Sequence, residues 1–493
     1  MSTKDKKFRK TFLSGLRWSA TKRIGQAILS IVVTIVMARL LDPSDFGLVA
    51  MATVFTGISN VFTELGTGEA LIRKKNPSND FISSIFWLNT GLAILVCLIL
   101  AIIAPFVADL YDQEIVEILI YVLSIEILLS GLNRVSHALL EKNMRFKAIA
   151  FAQIVSQIFG AVIGISMAFL GYGLWSLVIL GMSGQIMYTI ITNIALKWIP
   201  KFSFNIEHIK NIFSFSSYLT LNKILDHSQR RSEIFIVAYL MGTHLGGVYS
   251  QTYNLMRKPV KLISGFMSPV LFSTMSSFVD DIDRIRSLYL KSIQSFVMIY
   301  MPISIILILY SEPFVVFIFG EKWIEMAKLM PIFGAMLLHM SVHKCNTISL
   351  KSVGRVDLLF KMYLVFLPAS VIACVIGAQY GIFWVAIGMF ITTFILFVFS
   401  SIASSIVLEV VFKNYFDQVF RILIYGVLMA IFGYITNLAL SLYIDNNLIV
   451  SLIGFSLASF FYLTLLMIIP VPACYYFLEL LNIKNTKFRS LKS

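Results

Sequence analysis

The sequence predicts an all-α membrane protein with two pseudo-symmetric six-helix bundles around a central cavity, followed by two C-terminal helices. Hydrophobic residues make up 58% of the 493-residue chain and charged residues only 13%, whereas soluble domains carry about 25% charged residues. Mean hydropathy is +0.85. About fourteen apolar stretches approach the ~20 residues that cross a bilayer. Lys and Arg lie in alternate connections between those stretches, as the positive-inside rule requires.

The predicted spans follow one another with short connections, so no connection is long enough to hold a separate soluble domain. The first span contains Arg17, Lys22 and Arg23 and has no small-residue cleavage site, which argues against a cleavable signal peptide. The spans are residues 12–40, 45–72, 80–109, 115–140, 147–170, 173–197, 212–241, 245–275, 284–310, 325–350, 357–379, 381–411, 417–441 and 447–478.

The charges of the connections predict one orientation for the whole chain. With a cytoplasmic N-terminus, both termini and every second connection collect Lys and Arg, while the opposite connections hold only Arg39, Lys322 and Lys328. Both termini are therefore expected in the cytoplasm. The net charge of +14 follows from this distribution, because each basic residue beside the anionic inner leaflet is favoured by ~1 kcal/mol. No role with nucleic acid is predicted.

An internal repeat with an offset of 200 to 210 residues divides the chain. Its landmarks are Ala38 to Gly47 with Ala238 to Gly247, Pro105 with Pro313, Leu140 and Arg145 with Leu350 and Arg355, and Tyr172-Gly173 with Tyr380-Gly381. The repeat predicts a six-helix bundle over residues 1–200, a second over 201–412, and two extra helices with a cytoplasmic tail over 413–493. Transporters built from such repeats hold their substrate at the interface between the halves.

Charged residues inside the predicted spans point to a hydrated, cationic cavity. Eleven are basic and five are acidic: Arg17, Lys22, Arg23, Arg134, Lys223, Arg230, Arg231, Arg257, Lys258, Lys261 and Lys344 against Glu64, Glu69, Glu126, Asp226 and Glu233. A lone charge at mid-bilayer costs at least ~2.5 kcal/mol. These side chains are therefore expected to face water or one another rather than lipid.

The spacing of the polar residues supports this cavity. In five spans they recur every three or four positions, as Glu126, Ser130, Asn133 and His137 do in the fourth span, which places them on one helical face. A positively charged lining attracts an anion, and Arg and Lys are the usual partners of phosphate. The alternatives are that the first cations snorkel to headgroups and that Lys223 with Asp226, and Arg230 with Glu233, form ion pairs that only join helices.

No catalytic, metal or cofactor motif is found. The chain has no phosphate-binding glycine loop, and its histidines lack metal-ligand spacing with acidic partners. Its four cysteines, Cys97, Cys345, Cys374 and Cys474, all lie in apolar segments, so no disulfide framework is predicted. We therefore expect a protein that is not an enzyme.

Several segments resemble the polysaccharide-transport branch of the MOP flippase superfamily, most closely its Wzx-type exporters of the colanic-acid kind. They are Ala38 to Gly47 (ARLLDPSDFG), Thr63 to Gly66 with Ala70 to Ile72, Glu233 through Tyr249-Ser250-Gln251 to Pro259, and Val353-Gly354-Arg355. The resemblance covers nearly the whole chain. Relatives in this branch tend to carry Asp where this chain has Glu233.

The resemblance implies a bacterial cytoplasmic-membrane protein that flips an undecaprenyl-pyrophosphate-linked oligosaccharide from the inner to the outer leaflet. It implies two six-helix bundles in a V. Expected partners are this lipid, membrane lipids, and a polysaccharide polymerase with glycosyltransferases. The expected pyrophosphate and sugar contacts are Arg23, Arg134, Lys223, Arg230, Arg257 and Lys261, and Glu64, Asp226 or Glu233 would couple transport to H⁺ or Na⁺. Open alternatives are a multidrug antiporter, a peptidoglycan-precursor flippase, and a scaffold without transport.

Overall fold

The computed structural model describes residues 25–64 and 67–472, except for the side chains of residues 58, 60–64, 69, 206–230 and 412. Across these ranges the regular elements are helices, and no strand occurs among them. Nine of the described helices are long and apolar enough to cross a membrane. The prediction of an all-α, multi-pass membrane protein is confirmed.

The first part of the chain forms helices α1 to α7. Their bounds are α1 Gly25–Leu40, α2 Pro43–Glu64, α3 Thr67–Arg73, α4 Asn79–Tyr111, α5 Glu114–Lys142, α6 Phe146–Phe169 and α7 Trp175–Leu196. The single span predicted over residues 45–72 is thus two helices, α2 and α3. The predicted start of the first span, residues 12–24, lies outside the described residues.

The rest of the chain forms helices α8 to α15. Their bounds are α8 Ile206–Ser276, α9 Ile282–Leu309, α10 Ser311–Phe319, α11 Ile324–Ser352, α12 Val356–Tyr380, α13 Ile382–Val407, α14 Phe412–Ser441 and α15 Asn447–Ile468. Two predicted spans lie within α8, and non-helical backbone at Gly242, with φ 83°, separates them. The short helix α10 falls in a connection where the sequence indicated no helix.

Side-chain caps define the first residues of several helices. Ser78 accepts a hydrogen bond from the backbone N–H of Phe81 at the start of α4. Asp281 does the same for Arg284 at α9, and Asn446 accepts from Leu448 and Ile449 at α15. Each cap satisfies backbone donors that the first helical turn leaves without partners.

The chain divides into two compact units, Met1–Gln251 and Thr252–Ser493. In the N-terminal unit α5 is the central helix and contacts α2, α3, α4, α6 and α7. In the C-terminal unit α11 contacts α9, α10, α12 and α13. The six-helix bundles predicted over 1–200 and 201–412 follow the sequence repeat, and their boundary at residue 200 stays a prediction.

The ends of α5 and α11 share one local structure, as the repeat predicted. The backbone N–H of Arg145 donates to the carbonyl of Leu140 at 2.9 Å, and that of Arg355 donates to Leu350 at 2.8 Å. In both turns the preceding residue, Met144 or Gly354, has a positive φ. This is the hydrogen bond that closes a helix through a left-handed residue.

Polar pairs that join helices repeat between the units as well. In the N-terminal unit Thr192 of α7 donates to Asn133 of α5 at 2.6 Å. In the C-terminal unit Ser400 of α13 lies 2.9 Å from Nδ1 of His343 on α11. Asn133 and His343 are separated by the same 210 positions as Leu140 and Leu350. The repeat therefore extends from sequence to the hydrogen bonds that join helices.

The two extra helices belong to the C-terminal unit. α14 and α15 contact each other and α9, and α15 also contacts α10. The hydroxyl of Tyr462 on α15 donates to the carbonyl of Met298 on α9 at 2.9 Å. The hydroxyl of Tyr310, at the end of α9, donates to the carbonyl of Gly433 on α14 at 3.1 Å. These buried bonds anchor the additional pair.

Candidate functional site

Four of the nine predicted site residues have described side chains: Arg134, Glu233, Arg257 and Lys261. Arg23 lies outside the described residues altogether. The side chains of Glu64, Lys223, Asp226 and Arg230 also lie outside the described part, although their backbones are helical. That cations from both predicted bundles line one cavity stays a prediction.

Arg257 is held by an aromatic ring rather than by an acid. Its Nη1 donates to the hydroxyl of Tyr253, one turn earlier in α8, at 3.1 Å. Its Cζ lies 5.3 Å from the centroid of the same ring. Tyr253 is buried and packs edge-to-face on Phe333 of α11. Among the described residues Arg257 has no acidic partner, so its charge remains available to a ligand.

Two further cations follow Arg257 along α8. Lys258 is partly buried and Lys261 is exposed. Arg257 and Lys261 are four residues apart, which places them on one helical face with Ser264 and Ser268. The Ser268 hydroxyl is buried and has no hydrogen-bond partner among the described residues. This face, here called the α8 cationic face (Arg257, Lys258, Lys261), concentrates positive charge within about one turn of helix.

Glu233 is buried and hydrogen-bonded. It is 3% exposed, and its Oε2 accepts from the hydroxyl of Tyr249 at 3.2 Å. Tyr249 is itself fully buried. These two residues lie on either side of the break at Gly242, so their bond ties the two segments of α8 together. Arg231, close to Glu233 in sequence, donates to Thr53 of α2 across 3.4 Å.

A polar stripe runs along α5. Nδ1 of His137 lies 2.7 Å from the Tyr188 hydroxyl on α7, and its Nε2 lies 3.8 Å from Glu141. Arg134 is partly buried, one turn before His137. Near the middle of α5, Glu126 is also partly buried and faces Gly181 of α7. Glu126, Asn133 and His137 of this stripe face α7. That the stripe lines a hydrated cavity, as its spacing predicted, stays a prediction.

The histidines of α11 are packing residues. Nε2 of His339 lies 2.9 Å from the Thr393 hydroxyl, and its ring contacts Phe390, Phe394 and Phe397. His343 pairs with Ser400 and Tyr363. Within the described ranges no group of three or more His, Cys, Asp or Glu side chains could hold a metal ion.

Sequence reasoning missed two members of these sites. Tyr253 was not predicted as a partner of Arg257, although its ring supports that guanidinium; the spacing of four residues is the signal that indicates this contact. Gly181 was not singled out, although its missing side chain makes room for the carboxylate of Glu126. No pattern in one sequence shows which helix lies opposite a glycine.

Comparison with known proteins places these features in a family. A family model described as "Polysaccharide biosynthesis protein" matches residues 36–328, more than half of the chain. The lipopolysaccharide biosynthesis protein WzxC of Escherichia coli K12 is 23% identical over 78% of this chain and 79% of its own length. The succinoglycan biosynthesis transport protein ExoT of Rhizobium meliloti is 26% identical over 76% of this chain and 75% of its own.

A third relative and two solved structures are also similar to the chain. The teichuronic acid biosynthesis protein TuaB of Bacillus subtilis is 24% identical over 71% of this chain and 73% of its length. An inward closed structure of the lipid II flippase MurJ aligns with a TM-score of 0.72 over 95% of this chain and 99% of that chain, at 15% identity. An inward-facing multidrug MATE transporter of the MOP superfamily aligns with a TM-score of 0.64 over 79% and 99%. At this identity the structural matches show the fold alone.

Proposed function

The chain belongs to the polysaccharide-transport branch of the MOP flippase superfamily, and on that premise we propose that it flips an undecaprenyl-pyrophosphate-linked oligosaccharide from the inner to the outer leaflet of a bacterial cytoplasmic membrane. The similarity to WzxC, ExoT and TuaB, which are proteins of lipopolysaccharide biosynthesis, succinoglycan biosynthesis transport and teichuronic acid biosynthesis, supports this cargo. The protein is then a transporter rather than an enzyme.

Arg257 is the observation that carries the proposal. A guanidinium in a helix of a membrane protein is costly unless a partner compensates its charge, and its described partner is the neutral phenol of Tyr253. Arg binds phosphate oxygens through two parallel N–H groups. Lys258 and Lys261 add charge on the same short segment. A pyrophosphate headgroup, with several charged oxygens, matches this group of donors.

The polyprenyl tail and the sugars of the cargo require different environments. The polyprenyl tail is as apolar as lipid and can stay in the bilayer, while the sugars need a hydrated path. In this proposal the α8 cationic face holds the pyrophosphate, together with Arg134 and with Arg23, Lys223 and Arg230 from the sequence prediction. Alternating access moves the headgroup, and H⁺ or Na⁺ supplies the driving force.

The α8 cationic face also argues against the multidrug alternative. A transporter of organic cations needs acidic groups where its cargo binds, because like charges in a poorly hydrated site repel strongly. The described charged residues that follow Thr252 on α8 are all basic: Arg257, Lys258 and Lys261. A peptidoglycan precursor carries the same pyrophosphate, so only its glycan distinguishes it from our proposed cargo.

The first prediction tests Arg257 in cells that depend on this protein for their surface polysaccharide. Replacing it with Ala removes charge-assisted hydrogen bonds of about 1.5–3 kcal/mol, which corresponds to about a 10- to 100-fold lower rate of export. Arg257→Lys should retain part of the activity, since Lys keeps the charge and loses the two-pronged geometry. Surface polysaccharide is measured at matched protein level.

Arg284→Ala is the matched control. Arg284 also stacks on an aromatic ring, with its Cζ 3.6 Å from the Phe278 centroid, but it is exposed at the start of α9. Its removal should leave export unchanged. Normal export by both Arg257→Ala and the double variant with Lys261→Ala would refute the phosphate assignment. Rescue of a peptidoglycan-flippase deficiency instead of a polysaccharide deficiency would refute the proposed cargo.

A further inference from the structure

Glu126 lies near the middle of α5, in contact with a glycine. If Gly181 of α7 carried a Cβ atom, that atom would be 2.7 Å from Oε1 of Glu126, which is closer than side-chain atoms pack. The missing side chain at position 181 therefore provides the space that the carboxylate occupies. Glu126 is only partly buried by the surrounding protein.

Glu126 differs from its neighbours on the α5 polar stripe because it has no partner. Across the described residues it makes no hydrogen bond and no ion pair. About two and three turns along the same helix, Asn133 accepts from Thr192 and His137 pairs with Tyr188. Glu233, the other intramembrane acid with a described side chain, is buried and accepts from Tyr249. Glu126 is thus not a helix-joining ion pair.

The helices packed against α5 bring no charge to the middle of the span. α7 has no Asp, Glu, Lys or Arg between Trp175 and Leu196, and its titratable group is Tyr188. Nearer Glu126, Cys97 of α4 donates its thiol to the carbonyl of Ser124. Other charged groups of these helices lie towards helix ends: Asp45 and Glu64 of α2, Glu69 and Arg73 of α3, Asp80 and Asp109 of α4, and Lys147 of α6.

The nearest charges on α5 itself are also distant. Arg134 is eight residues away, about 12 Å along a helix axis, and His137, Glu141 and Lys142 are farther. On the other side lie Glu117 and Glu114, nine and twelve residues away. An intramembrane carboxylate without a protein partner is costly and is expected to serve a function. The missing partner is then a mobile cation rather than a fixed side chain.

We propose that Glu126 binds and releases the monovalent cation, a proton or Na⁺, that is coupled to flipping. This inference rests on the proposed transport function and names a carrier other than the three acids that the sequence predicted. Binding of the cation neutralises the carboxylate and removes the cost of a bare charge within the membrane. If one conformation exposes Glu126 to water and another does not, occupancy shifts the balance between them.

The test measures charge movement and requires no lipid cargo. The purified full-length protein is reconstituted in liposomes on a solid-supported membrane and exposed to a pH jump without Na⁺, and separately to a Na⁺ jump at constant pH. Wild type should give a transient current in one of the two jumps, which identifies the cation. Glu126→Gln keeps the shape of the side chain and should reduce the transferred charge at least tenfold.

Two further variants keep the result interpretable. Glu117→Gln removes a carboxylate from the same helix, where it accepts from Tyr121, and should leave the current unchanged. Gly181→Ala retains the charge of Glu126 and displaces it, and should shift the half-saturating cation concentration at least threefold. Each variant must match wild type in thermal unfolding, so that a lost current does not reflect misfolding.

The proposal is wrong if Glu126→Gln gives a current within twofold of wild type in both jumps, or if wild type gives none in either. It is also wrong if Gly181→Ala leaves the half-saturating concentration unchanged while folding normally. These outcomes are independent of Arg257, because the assay contains no pyrophosphate. If the cargo assignment is wrong, the cation currents remain. If Glu126 does not carry the cation, the effect of Arg257→Ala on export remains.

Discussion

Glu233 shows that the position of a residue in a sequence pattern does not reveal which side chain it contacts. Its position in a predicted span indicated a candidate for ion coupling. The structure shows a buried carboxylate that accepts from the buried Tyr249 hydroxyl. The sequence could not show this, because the partner depends on the turn at Gly242, which brings two helical segments side by side. Arg257, in contrast, was named as a candidate from its place in a predicted span, and its contact with Tyr253 one turn earlier is a local one that spacing indicates.

We predict that Glu233 contributes mainly to stability. Glu233→Ala removes an acceptor of the buried Tyr249 hydroxyl, which costs about 1–3 kcal/mol and lowers the thermal unfolding midpoint. Tyr249→Phe removes the donor and should lower it less, and the double variant should be less destabilised than the sum of the two. Thermal unfolding in detergent is the measurement. Unchanged stability together with lost cation currents would instead assign Glu233 to ion coupling.

Among the elements, α2 and the second segment of α8 pack at a pair of glycines that the repeat relates. A Cβ on Gly47 would fall onto the carbonyl oxygen of Thr243, and a Cβ on Gly247 would fall onto that of Pro43. Pro43 and Thr243 each precede their glycine by four residues, so the contact is symmetric about the Gly47–Gly247 pair. The sequence repeat predicted two equivalent segments. It could not predict that they touch each other, because periodicity gives the face of a helix but not its partner.

Alanine at either glycine should separate α2 from the second segment of α8. Backbone carbonyls cannot move aside as side chains can, so we expect Gly47→Ala and Gly247→Ala each to destabilise the protein by about 1–3 kcal/mol. Gly91→Ala is the control, because a Cβ at position 91 of α4 would meet nothing within 4 Å. There Ala should be neutral or stabilising by up to ~1 kcal/mol. Equal unfolding midpoints for all three variants would contradict the close packing of α2 on the second segment of α8.

For the whole molecule, length and hydropathy were sufficient to predict most of the helices, since a bilayer requires each span to be long and apolar. They were not sufficient for the connections. The connection between α7 and α8 packs on α4: the backbone N–H of Lys201 donates to Ser83 at 3.0 Å, and Trp87 donates to the carbonyl of Lys201 at 2.8 Å. These polar contacts involve few residues and have no periodicity, so a pattern of hydropathy does not reveal them.

The orientation of the chain is a property of the whole molecule and has its own test. The positive-inside rule places the α5–α6 and α11–α12 connections in the cytoplasm and the α14–α15 connection outside. We therefore expect Asp445→Cys to react with a membrane-impermeant maleimide in intact cells, whereas Asn143→Cys and Lys351→Cys should react only after the membrane is opened. All three positions are exposed. Labelling of Asn143→Cys in intact cells would show that the chain has the opposite orientation. The cationic residues could then not meet a headgroup that arrives from the inner leaflet.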